Sequence, residues 1–175
     1  LVQLEMIDEE RKLPINALVR PSDTEDGGVV VDEDLQIAFE SLLANLELDP
    51  AILPALVDWI DPDDQPFGSD GAEIYYYERL DPPYRPKDGP IDTLAELRQV
   101  KGIDAEAFQA LTPFVTAYGH DHRVNINTAP PEVLKALLPE ADDTILEEIV
   151  TKRFEEPFES RNQVNEYLAG FPGVF

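Results

Sequence analysis

Asp58, Asp61, Asp63, Asp64, Asp70 and Glu73 crowd into residues 58–73, together with Pro62, Pro66, Gly68 and Gly71. Carboxylates at this density push one another apart. A hard divalent cation reverses that repulsion, because calcium takes about six to eight oxygens from carboxylates and carbonyls on flexible loops, and prolines narrow the unbound ensemble. Asp61, Asp63, Asp64, Asp70 and Glu73 are therefore the candidate calcium ligands. The glycines and the final glutamate sit at other offsets than in an EF-hand loop, so a solvated acidic loop capping two helices stays open as the alternative.

Other groups offer less. His120-Asp121-His122 follows Gly119 and reads as a polar turn, since no third ligand stands at transition-metal spacing. Tyr75, Tyr76 and Tyr77 read as aromatic packing over helices, next to a proline-rich connection. No phosphate loop, nucleophile elbow or His-Glu-x-x-His motif is present, and paired carboxylates carry no information in so acidic a chain. Nothing in the sequence supports an enzyme or names a catalytic residue.

The 175 residues carry 13 Lys and Arg against 37 Asp and Glu, a formal charge of −24, with 43% hydrophobic residues. That apolar fraction supports a folded core, while the charge opposes nucleic acid and anionic membrane surfaces and favours cations or basic partners. There is no cysteine, so disulfides and thiolate metal sites are ruled out, and no apolar run approaches the ~20 residues of a membrane span.

The acidic loop needs flanking elements to hold it. Residues 1–7 and 12–19 read as extended, residues 20–28 as an exposed acidic loop, and both chain ends as interrupted structure. From Asp32 the period becomes helical, with Leu35, Phe39, Leu42, Leu43 and Leu46 on one face. Asp49-Pro50 opens a second helix carrying Ile52, Leu53, Leu56, Val57 and Ile60, which Pro54 is expected to kink or restart. Thr93 and Glu96 have capping-box spacing for a helix that Gly102 ends; Asp104 caps another and Ser160 a last one.

Residues 124–138 organise the C-terminal part. Val124 and Ile126 alternate with Asn125 and Asn127, which predicts a half-buried extended segment, and Pro130-Pro131-Glu132 starts a helix with Val133, Leu134, Leu137 and Leu138 on one face. A second helix from about Asp143 completes a hairpin. Helix-hairpin-helix modules offer backbone N–H groups to phosphates, but this turn, residues 139–143, has no glycine and three carboxylates. Its role is expected to be packing.

Three stretches together resemble one family: Glu-Glu-Arg-Lys-Leu-Pro-Ile-Asn-Ala-Leu over residues 9–18, residues 58–73 with Asp-Trp-Ile-Asp-x-Asp and Gly-Ala-Glu, and residues 124–138. With Leu-Ala-Glu-Leu-Arg-Gln-Val-Lys-Gly over residues 94–102, they are similar, in order, to the K-type minor pseudopilins of type II secretion systems. The resemblance implies a fold that is mainly α with a small β part: a helical domain with helix-hairpin-helix-like units, residues 29–170, inserted in an incomplete pilin-like α+β fold formed by residues 1–28 and 171–175. It implies a structural protein capping the tip of the pseudopilus with the I-type and J-type minor pseudopilins, with secreted protein as a further open contact, and it favours calcium in the acidic loop. The place implied is the periplasmic side of a Gram-negative inner membrane, reached through an N-terminal anchor helix that this sequence does not include. The alternatives are a helix-hairpin-helix nucleic-acid-binding module and a calcium-dependent extracytoplasmic interaction domain. Residues 124–170 are also similar to the repeat of bacterial competence DNA receptors, through Asn-x-Asn-Thr-Ala and Pro157-Phe158-Glu159-Ser160; the acidic turn transfers the fold and not DNA binding.

Overall fold

A computed structural model describes residues 7–22, 28–119 and 123–171. The extended segment expected at residues 1–7 lies outside this range except for Ile7, as do His120-Asp121-His122, most of the 20–28 loop and residues 172–175.

The segment expected as one strand over residues 12–19 is two strands divided by a turn. Strand β1 (Leu13–Pro14) runs into a 3-10 turn (Ile15–Ala17), and β2 (Val19–Pro21) follows. The break places Leu13, Ile15 and Leu18 all in the core, which straight alternation would not allow. A third strand, β3 (Val29–Val31), pairs antiparallel with β2, whereas β1 pairs in parallel with β4 (Val115–Thr116), about a hundred residues away. Asn16 locks this crossing. Its side-chain amide donates to the carbonyls of Ile91 and Ala117 at 2.9 and 2.7 Å and accepts from the Ile91 N–H at 2.8 Å.

Helices make up most of the rest. Asp32 accepts from the Leu35 N–H and starts α1 (Glu33–Asn45), whose Leu35, Ala38, Phe39, Leu42 and Leu43 are buried. The helix ends without glycine: Glu47 takes φ 55, and the Leu48 and Glu47 N–H groups return to the carbonyls of Leu43 and Ala44. Helix α2 spans Ile52–Ile60. Pro54 falls within its first turn, where a missing N–H leaves no bond unmade, so the helix starts two residues after Pro50 and neither kinks nor restarts at Pro54. Short α3 (Ile74–Tyr77) divides the tyrosines: Tyr77 is fully buried against Trp59 and Tyr84, and Tyr75 is 72% exposed.

Residues 94–99 form a 3-10 helix, and Glu96 accepts from the Thr93 and Asp92 N–H groups. Asp104 caps α4 (Ala105–Leu111). Helices α5 (Pro131–Leu137), α6 (Asp143–Glu155) and α7 (Arg161–Leu168) close the fold, with α1 packed on α5. A single apolar cluster runs from Leu13 through Phe39, Leu56, Tyr77 and Leu97 to Val133 and Ile149. The architecture is mainly α with small two-stranded sheets. Among the described residues no helix is long and apolar enough to cross a membrane.

Asn16→Ala strips a partner from two carbonyls and one N–H, all at buried positions. A loss of about 3 kcal/mol is expected in chemical denaturation; a loss below about 1 kcal/mol would mean that water replaces the amide.

Candidate functional site

The acidic loop hangs from one buried side chain. Asp58, in the last turn of α2, is 0% exposed, and its two carboxylate oxygens accept from the Phe67 N–H at 2.7 Å and from the Ala72 N–H. An acid in so apolar a helix is held only because backbone donors meet it. Gly71 is dictated by the same contact: a Cβ there would lie 2.3 Å from the Asp58 carboxylate and 2.7 Å from the Phe67 nitrogen. The loop is thus folded back over the end of α2.

This return brings Asp61 and Glu73 together. Asp61 ends α2, its N–H bonded to the Val57 carbonyl, and Glu73 begins α3. They are 7% and 3% exposed, and Oδ1 of Asp61 and both oxygens of Glu73 are buried without a hydrogen-bond partner. Exposed Asp63 completes a group of three carboxylates whose oxygens lie within 4.8 Å of one another. Burial pushes the Asp61 carboxyl up to about 7, with repulsion from Asp63 and Asp58 adding to it. Burial pushes Glu73 up to about 8, with Asp58, Asp61 and Asp88 adding.

Of the five expected ligands, Asp61, Asp63 and Glu73 converge. Asp64 and Asp70 stand outside the group, both exposed, and Asp70 accepts from the Ser69 hydroxyl at 2.9 Å. Two further acids have a part in the site: Asp58, which belongs to the acidic cluster but not to the expected ligands, and Asp88, which the sequence does not point to. Asp58 was visible as a lone acid inside the apolar stripe of α2, three residues before Asp61. Asp88 comes from the proline-rich connection, where it takes φ 51, and its charge reaches both Asp61 and Glu73; no local pattern ties it to residues 58–73.

Unpaired buried carboxylate oxygens are costly in either charge state, and three facing groups cannot all ionise without a counter-charge. An oxygen-only donor set with one exposed member suits a hard cation such as calcium and gives no thiolate or imidazole to a softer one. Asp61, Asp63 and Glu73 are the residues that fit it.

The hairpin is built for packing. Residues 124–127 are not a strand: residues 126–128 turn, and both asparagines are half-buried. Asn125 and Thr128 donate to Oδ2 of Asp8 at 2.9 and 2.7 Å. Asn127 exchanges two bonds with the backbone of Phe158, both 2.9 Å, and Arg153 donates to the carbonyls of Ile126 and Ala129. A Val-Asn-Ile-Asn pattern has the period of a strand, but here side-chain amides replace a sheet partner. At the hairpin turn, Asp142 accepts from the Ile145 N–H at 2.9 Å and puts a carboxylate where a phosphate would have to bind.

Comparison with known proteins places this architecture. A family described as type II secretion system protein K matches residues 11–120, and a second segment with the same description matches residues 124–174. The chain is 33% identical over 165 residues to type II secretion system protein K of Pseudomonas aeruginosa, covering 92% of this chain and 47% of that protein. It is 34% identical over 148 residues to the protein of the same description from Klebsiella pneumoniae, covering 80% and 44%. It thus spans about half the length of the curated relatives it matches. A chain in the crystal structure of the GspK-GspI-GspJ complex from the enterotoxigenic Escherichia coli type 2 secretion system superposes with a TM-score of 0.67 at 21% identity, covering 92% of this chain and 61% of that one. With the family matched over most of its length, the chain belongs to the type II secretion system protein K family, the K-type minor pseudopilins, which are secretion-machine components and not enzymes.

Proposed function

We propose that this chain is the helical part of a minor pseudopilin that caps the tip of a type II secretion pseudopilus on the periplasmic side of the inner membrane. It associates there with I-type and J-type minor pseudopilins, and its acidic loop is fixed by bound calcium. The family match along two consecutive segments supports the secretion role, and the complex that holds the structurally similar chain supports the choice of partners. A tip protein needs shape more than chemistry, which suits a chain whose polar side chains are spent on capping helices and tying loops to distant backbone.

The calcium reading rests on the buried, partnerless oxygens of Asp61 and Glu73 with Asp63 beside them. When bound, the cation would supply the counter-charge that lets all three ionise and would tie the end of α2 to the start of α3. Asp58 shapes the loop that presents them.

Three outcomes are expected. At a calcium concentration a hundred times its dissociation constant, mass action stabilises the folded state by about 2.7 kcal/mol, which raises the melting temperature by roughly 5–10 °C. Asp61→Asn with Asp63→Asn abolishes that rise, and equal melting of the wild type in chelator and in millimolar calcium would remove the metal from the account. The second outcome concerns pH. Asp61 and Glu73 have folded values of about 7 and about 8 against ordinary values of 3.8 and 4.5. The folded state therefore binds more protons in that interval; their contribution is whole below the ordinary values and lost as pH rises through the folded ones. Thermal scans in chelator should give a melting temperature lower by roughly 10 °C or more at pH 8 than at pH 5, and calcium should remove the slope; a flat chelator profile would show that the carboxyls are not strained. Third, co-expression with the I-type and J-type subunits of the same system should yield one heteromeric species in size-exclusion chromatography. An I–J complex that leaves this chain behind would overturn the partner assignment.

A further inference from the structure

Asp58 holds the acidic loop from one side only. It grips the N–H groups of Phe67 and Ala72, leaving the peptide units just before Ala72 to present their carbonyls away from it. A second side chain meets those carbonyls from another part of the chain. Lys101, between the 3-10 helix at residues 94–99 and α4, places its ammonium 2.9 Å from the Asp70 carbonyl and 3.5 Å from that of Gly71.

Lys101 is itself held. Its N–H donates to the hydroxyl of buried Tyr77 at 3.2 Å, and its ammonium stands 5.2 Å over the ring of Tyr76. The next residue, Gly102, has φ +85 and lies against Ile52 of α2, where an added Cβ would come within 3.2 Å of the Ile52 side chain. The ammonium is thus delivered from a backbone anchored on both α2 and α3, the two helices that carry Asp61 and Glu73.

We infer that Lys101 is a positioning residue for the calcium site: its ammonium on the Asp70 and Gly71 carbonyls, opposed to Asp58 on the Ala72 N–H, sets where Glu73 stands relative to Asp61 and Asp63. The inference rests on the calcium reading above. The clamp gives the loop two cation sites with different jobs. The ammonium takes the outward carbonyls, so these do not serve as metal ligands, and the inner carboxylates are left to the exchangeable ion. A positive charge close to a metal site would by itself weaken metal binding, whereas a support that prearranges a ligand strengthens it. The two effects have opposite signs, so affinity decides between them.

The experiment is calorimetric titration of calcium into the chain and its Lys101→Met and Lys101→Arg variants, with amide hydrogen exchange followed in chelator. Methionine keeps the apolar stem over Tyr76 and removes the ammonium. It should weaken calcium binding about tenfold, the low end of what loss of a ligand's support costs, and speed exchange at Ala72. Arginine keeps a cation and donors and should restore affinity to within about threefold of wild type. Calcium binding by Lys101→Met as tight as wild type, or tighter, overturns the assignment, as does unchanged exchange at Ala72. Absence of calcium binding by the wild type overturns the calcium reading instead, and this inference with it.

Discussion

The carboxylate of Asp58 is the point on which the acidic loop depends. A charged group cannot sit at zero exposure in an apolar helix unless its lone pairs are met, and the chain meets them with two N–H groups of its own loop. Everything else at the site follows: the loop must double back, Gly71 must lack a side chain, and Ala72 must be buried, so Glu73 arrives opposite Asp61. The carboxylates are held together by a backbone constraint, against their mutual repulsion. That is why they are strained, with values of about 7 and about 8, and not merely acidic.

The same device recurs through the molecule. Asn16, Asp8 and Asn127 each tie one segment to the backbone or side chains of another far away in sequence. Small strands cannot hold a fold together alone, and a two-stranded ribbon is marginal in water. Polar side chains bonded to buried backbone take over that role, and each removes an orphaned donor or acceptor while fixing a crossing. The apolar cluster supplies the bulk of the driving force, and these ties select which arrangement of helices it stabilises.

What could be read from the sequence follows the range of the interactions. The helices at Asp32, Asp104 and Ser160 were legible because a cap and its N–H partners lie within three residues. The pairing of Leu13 with Val115 was not, because neither dipeptide carries a sign of the other. Residues 124–127 were misread for a different reason: alternation fits a strand and also an irregular turn whose asparagines are half-buried. In the acidic loop, composition pointed to the region but could not rank its members. Asp64 and Asp70 look like Asp61 in sequence, and only the return of the loop over Asp58 decides which of them face one another.

The reciprocal pair between Asn127 and the backbone of Phe158 carries one more consequence. The amide engages the N–H and carbonyl of residue 158, which leaves the buried Phe158 ring free to pack edge-on against Tyr167 of α7. The joint between the α5–α6 hairpin and α7 is therefore made twice at one place, once through the Asn127 amide and once through the Phe158 ring. Truncation of the ring empties a packed position but spares the backbone tie, whereas loss of the one asparagine leaves two main-chain groups there unmatched at once.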